Sequence, residues 1–167
     1  MQTVAIQDLT LDAFQRYGTF AKMIDNPNRP PAGRPVIFTP DMIQMQLGDT
    51  STASFSICRV EPRKPVVNGG EYHDRTCEGI LPLDGDVLIH VAPASHPAVP
   101  FPKDQIEVFR VPQGTMVVLR PGVWHGAPFA ATDKPANVLI VLAERTYATD
   151  CGRARLSDEE QLGIVVG

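Results

Sequence analysis

The chain has 167 residues, 20% of them charged, and a net charge of −4. That length suits one core better than two, so residues 1–167 read as a single domain. The acidic balance argues against nucleic acid as a partner, since neutralising phosphates needs a basic surface, and no run nears the roughly 18 apolar residues of a membrane span.

The first 10 residues, MQTVAIQDLT, lack the basic start and apolar run of a secretory signal, so the expected location is the cytoplasm. Thr10 to Gly18 reads as a short helix, with Thr10 as N-cap and Gly18 as its stop. Residues 25–35 hold four prolines and a glycine, which predicts a loop. Strands are expected at 36–39, 42–47, 53–60, 65–73, 78–83, 86–92, 105–111, 115–120 and 137–143. Asp84-Gly85 between two apolar runs predicts a hairpin. A proline-rich connection fills 93–103, and Ser157-Asp158-Glu159-Glu160 is a capping box that predicts a last helix over 157–162. Many short strands without long helices predict an all-β fold, an antiparallel barrel with core 36–146 and short terminal helices. Cys58, Cys77 and Cys151 are odd in number and lack C-x-x-C spacing, which speaks against a disulfide framework.

Two segments carry the chemistry. The first runs Glu71-x-His73-x4-Glu78-x6-Gly85, and the second runs from Gly114 through Pro121-Gly122 to His125. Alternation along a strand puts Glu71 and His73 on one face, a turn near Asp74-Arg75 returns Glu78 to that face, and His125 arrives from a second hairpin. Two imidazoles and two carboxylates suit a divalent transition metal (Ni, Mn, Fe, Co or Zn) better than Ca or Mg. His90 and His96 have no such spacing and read as ordinary core or surface residues. Phe55, Ile57 and Arg59 share a strand face by alternation. If that face is inward, Arg59 is a cation aimed at a substrate carboxylate; the alternative is an ion pair with Glu61 or Glu71. Arg120 and Trp124, beside the second segment, are further candidates for substrate contact.

These two segments resemble the metal-ligand motifs of a cupin barrel, and the chain as a whole resembles the ureidoglycolate lyase family within the cupins. The likeness runs through Glu71–Leu83, Gly85–Pro93, Gly122-Val123-Trp124-His125 with Pro128-Phe129, and Ser56-Ile57-Cys58-Arg59-Val60-Glu61-Pro62. It also takes in Leu9-Thr10 to Tyr17-Gly18. The resemblance implies a double-stranded β-helix or jelly roll, commonly a homodimer, that splits ureidoglycolate into glyoxylate and urea. A divalent metal is implied for at least some members. The chain departs from the family pattern at Glu78, where glutamine is usual, and at Gly126 and at Arg120 or its neighbour, where the family has further histidines. Its 25–35 loop replaces an asparagine-rich stretch.

The combined expectation is a metal-dependent lyase acting on a small anionic hydroxy or keto acid. Glu71, His73, Glu78 and His125 would be ligands, and Glu71 (ligand or general base) and Arg59 the catalytic candidates. Two alternatives stay open: a cupin isomerase or Fe(II) dioxygenase, since His73, Glu78 and His125 alone form a two-His-one-carboxylate set, and a non-catalytic small-molecule binder.

Overall fold

The computed structural model describes residues 2–24, 33, 35–96 and 98–165. Two sheets face each other across an apolar interior. The larger orders β13 (Gly152–Arg155), β5 (Gly69–Tyr72), β10 (Trp124–His125), β7 (Val87–Ala92), β8 (Glu107–Val111), β1 (Gln2–Asp8), β14 (Leu162–Val165) and β4 (Val66–Val67), with β11 (Phe129–Ala130) also on β7. The smaller orders β2 (Gly18–Lys22), β9 (Thr115–Leu119), β6 (Glu78–Pro82), β12 (Ala136–Ala143) and β3 (Ala53–Val60). Among the described residues the only α-helices are α1 (Leu11–Phe14) and α2 (Thr146–Thr149). The all-β reading of the sequence is therefore met.

Period-two burial explains the layering. Val87, Ile89 and Val91 of β7 point inward with Ile80, Val117, Val138 and Ile140, while Leu88, His90 and Ala92 face the other way. That outer face carries a second cluster with Trp124, Phe129, Val108, Leu162 and Ile164. Three of the buried polar side chains, His73, Glu78 and His125, gather where β5, β6 and β10 meet.

Several local expectations change. Asp84-Gly85 does not close a hairpin: β6 pairs with β9 and β12, whereas β7 pairs with β8, β10 and β11. A two-residue hairpin of the Asp-Gly kind needs positive φ, and Gly85 does not have it. The dipeptide instead carries the chain from one sheet to the other, and the Asp84 carboxylate accepts the backbone N–H and side-chain amide of Asn137 at 2.6 and 2.5 Å. Residues 36–39 and 42–47 form no strand; Ile43 and Met45 pack on the outside of the smaller sheet through their side chains alone. The expected loop at 25–35 lies largely outside the described residues.

The helix at Thr10 starts as expected, with Thr10 Oγ1 accepting from Ala13 N–H, but ends at Phe14 because Gly18 onward is drawn into β2 against β9. At the other terminus Glu160 accepts from Ser157 N–H at 3.1 Å, yet the chain makes one turn only. The following residues are claimed by β14, which pairs in parallel with β1. The parallel pairs β1–β14 and β1–β8 are exceptions to the antiparallel expectation. A helix stands instead at Thr146–Thr149, beside the polar end of the barrel.

Candidate metal centre

The polar end is built from three short stretches. His125 of β10 lies directly opposite Glu71 of β5, so both side chains leave the sheet on one face. His73 follows β5 by one residue, and Glu78 opens β6 on the same inward face as Ile80. The turn that returns the chain from His73 to Glu78 is clamped by Asp150, whose two carboxylate oxygens accept Asp74 N–H and Arg75 N–H at 2.9 Å each. Gly122 donates its N–H to the His73 carbonyl at 2.7 Å. Its φ of +79° explains why glycine stands there, since a Cβ makes that region costly.

The four expected ligands converge. One ligand atom each from Glu71, His73 and His125 lies within 4.8 Å of the others. Glu78 Oε2 lies 3.1 Å from His73 Nε2 and 2.9 Å from His125 Nε2. His73, Glu78 and His125 are 2%, 5% and 3% exposed, while the Glu71 side chain keeps a fifth of its surface open.

The outer nitrogens decide how the rings present themselves. His73 Nδ1 donates to the Asp150 carbonyl at 2.6 Å and His125 Nδ1 donates to the Val123 carbonyl at 2.9 Å. A carbonyl only accepts, so each Nδ1 carries a proton, and in its neutral form each ring would aim a bare Nε2 lone pair at the Glu78 carboxylate. Lone pair against carboxylate is repulsive unless a cation sits between them, either a proton or a metal ion. Outer N–H groups fixed on carbonyls are also how metal-bound imidazoles are oriented. The donor set thus fits a divalent transition ion.

Electrostatics agree with a cation at this point. Burial works against the Glu78 charge, but the neighbouring His125 and hydrogen bonds from both rings outweigh it and bring the carboxyl pKa down to about 2. Burial likewise works against a charged His125, and the Glu78 carboxylate more than offsets it, leaving its pKa raised.

The rim holds residues that sequence reasoning missed. Tyr147 of α2 sets its ring edge-on to His73 with centroids 5.9 Å apart. Burial, then the Glu78 and Glu71 charges, raise its phenol pKa well above the ordinary value. Arg153 Nε and Cys151 Sγ approach Glu71 Oε2 at 3.2 and 3.4 Å. Burial and Glu71 push the Cys151 thiol up to about 11. None of these has a motif; only the pairing of β13 with β5 brings Arg153 opposite Glu71.

The other three expected site residues are elsewhere, which corrects their assignment. Phe55 and Ile57 are 68% and 61% exposed, so the face they share with Arg59 is the outer one. Arg59 is held in the open by Glu61, at 2.6 Å, and lies opposite Asn137, near the turn at Asp84. On the opposite face of β3 Val60 is buried and Cys58 half-buried, while Ser54 and Ser56 stay exposed. β3 is an edge strand, so alternation fixes which of its residues share a face but not which face is inside. Arg120 is exposed in a turn, its N–H donated to the Tyr17 carbonyl. Trp124 points away from His125 into the second cluster, packs on Tyr72 and Phe101, and donates Nε1–H to Ser95 Oγ at 2.8 Å. We expect Arg59→Ala to leave turnover within about twofold and to cost about 0–1 kcal/mol, the range for an exposed ion pair. Parallel rate and melting measurements would check this, and a large rate loss would overturn the outward placement.

Residues 1–162 match the family described as ureidoglycolate lyase. The chain belongs to the ureidoglycolate lyase family. Among solved structures it is similar to a dTDP sugar isomerase from Desulfovibrio desulfuricans, at 17% identity and a TM-score of 0.52, covering 86% of this chain and 87% of that one. It is also similar to oxalate decarboxylases from Bacillus subtilis (16% identity, TM-score 0.44, 63% of this chain and 24% of that one). A third is the Lactobacillus farciminis oxalate decarboxylase (18% identity, TM-score 0.41, 54% and 23%). The chain spans about a quarter of the length of the oxalate decarboxylases it resembles. No curated protein matches the sequence. The fold is the cupin barrel that the sequence motifs anticipated. No helix among the described residues is long and apolar enough to cross a membrane.

Proposed function

We propose that the protein is a metal-dependent carbon–nitrogen lyase that splits ureidoglycolate, or a closely related α-hydroxy acid, into an aldehyde acid and urea. The observation that carries this is the pair of Nδ1-anchored imidazoles, His73 and His125, aimed with the buried Glu78 carboxylate at one point inside the barrel. Membership of the ureidoglycolate lyase family supports the reaction class.

His73, His125 and Glu78 would hold the ion, with Glu71 at the same point but more open to a substrate. A divalent ion held there would supply Lewis acidity, making the substrate's α-hydroxyl easier to deprotonate. Glu71, its carboxylate steadied by Arg153 and Cys151, removes the hydroxyl proton as general base. The oxygen electron pair forms the aldehyde C=O, the C–N bond breaks, and its pair leaves on the urea nitrogen. Tyr147, whose raised pKa keeps its proton in place, donates O–H to that nitrogen. Proton return from Glu71 to the tyrosinate closes the cycle.

The test is Glu71→Gln, assayed for glyoxylate released from ureidoglycolate and, separately, for bound metal. A base role predicts retained metal and a rate at least about 100-fold lower, the scale of general-base catalysis. Metal loss would instead make Glu71 a ligand. No glyoxylate from metal-loaded wild type would reject the lyase. Oxygen uptake with the same acids would favour the oxygenase that a two-His-one-carboxylate set also suits.

A further inference from the structure

Beside Glu71 a cleft of about 360 Å³ opens between β13, the 63–70 segment and Gly126-Ala127. Its size is that of a small-molecule pocket. Three guanidinium side chains line it: Arg63, Arg153 and Arg155. Arg153 is engaged by Glu71. Among the described residues no carboxylate lies within ion-pair distance of Arg63 or Arg155. The chain as a whole is acidic, at −4, so a cleft with three cations and one carboxylate is an uneven use of its charge. One sign of charge lining a cleft concentrates ions of the opposite sign there.

The Arg63 head is also positioned. It stacks at 4.2 Å over the Phe129 ring, and its Nη2 donates to the Ala127 and Pro128 carbonyls at 3.3 and 2.8 Å. Those contacts use one of its nitrogens and leave the rest of the planar fork for another acceptor. His90 in the cleft wall adds no positive charge near neutral pH, because burial lowers its pKa to about 4.

We propose that this cleft binds the carboxylate of the substrate through Arg63 and Arg155, with Arg153 setting the boundary between that carboxylate and Glu71. The role assigned from the sequence to Arg59 thus passes to Arg63, four residues further along, on the stretch where the chain leaves the smaller sheet for β4 of the larger. That the bound carboxylate belongs to a substrate rests on the lyase reading; the anion site itself does not.

The test is an NMR titration of the full-length, metal-loaded protein with propionate, a monocarboxylate that chelates metals poorly, and with neutral propionamide. Propionate should shift Gly126 and Arg155 amides saturably and propionamide should not. Arg63→Gln and Arg155→Gln should each weaken propionate about fivefold, the upper end for an exposed ion pair. Arg63→Lys should recover part of the loss. Arg59→Gln should leave binding unchanged. Metal content and melting temperature, followed in every variant, separate a lost site from a lost fold. Equal propionate affinity in wild type and both glutamine variants, or no binding to wild type, overturns the proposal. Inorganic phosphate binding more than tenfold tighter through the same arginines would overturn the carboxylate assignment. If propionate binds as expected while ureidoglycolate is not turned over, the lyase falls and the cleft stands. If wild type turns over ureidoglycolate with a KM that Arg63→Gln and Arg155→Gln do not raise, the substrate role of the cleft falls and the lyase stands.

Discussion

Replacing His125 by alanine is expected to reduce bound divalent metal below about a tenth of an ion per chain and to abolish turnover. The ring contributes one of two Nε2 lone pairs at the centre, and its anchor on the Val123 carbonyl fixes the direction of that lone pair. Groups that merely orient a ligand already cost about 10–100-fold in metal affinity when removed, so losing the ligand itself should cost more. A second loss follows in the metal-free protein. Glu78 is buried and ionised, and without His125 only His73 faces it. Breaking a buried pair by removing one partner costs about 3–5 kcal/mol. For a chain of this length that is roughly 6–20 °C of melting temperature. The exposed His96, whose Nδ1 accepts only from Ala98 N–H, is the control and should change neither quantity on substitution by alanine. Metal analysis by mass spectrometry and a melting curve on each variant would decide it. Wild-type metal content in the His125 variant would remove the basis for a metal centre here.

The four converging side chains were legible in the sequence because each sits on a strand or beside a turn whose geometry is local. Glu71 and His73 are two apart on one face, and Gly122 marks the turn that delivers His125. What escaped was set by long-range pairing. Arg153 meets Glu71 only because β13 adds itself to the edge of β5, eighty residues away in sequence, and Asp150 reaches back over a similar distance to hold the 74–75 turn. Alternation told which residues of β3 share a face, but not which face is inside. Phe55 and Ile57 lie on the outer face of this edge strand, so the condition for a substrate-facing Arg59 fails and the alternative, an ion pair with Glu61, holds. The Asp84-Gly85 dipeptide failed similarly: its local preference for a hairpin yields to a fold that needs β6 and β7 in different sheets.

Chelator-stripped protein is expected to lose stability as the pH rises above 6.5 and through the raised His125 pKa, and metal-loaded protein is not. The sign follows from the two shifted groups. Glu78 is lowered from an ordinary 4.5 to about 2, so its contribution is present above about 4.5 and is lost as the pH falls toward 2. His125 is raised above its ordinary 6.5, so its contribution is complete below 6.5 and is lost as the pH rises through the folded value. Without metal, the pair is therefore strongest between about 4.5 and 6.5. Once the pH passes the raised folded value, the proton between His125 and Glu78 leaves, and Nε2 is left facing a buried carboxylate. A metal ion takes the proton's place, so the alkaline loss disappears and metal affinity itself climbs with pH over the same interval. Glu78→Gln separates this account from a general alkaline effect. An amide carries no charge to raise His125, and its N–H can donate to a neutral ring's lone pair. The stripped variant should melt at nearly the same temperature at pH 6 and pH 9, while binding metal more than about 100-fold more weakly than wild type, beyond the loss seen for groups that only orient ligands. Melting curves at half-unit pH steps, with and without chelator, give the answer. A stripped wild type with no alkaline loss, or a variant that keeps it, would show that the Glu78–His125 pair does not control this end of the barrel.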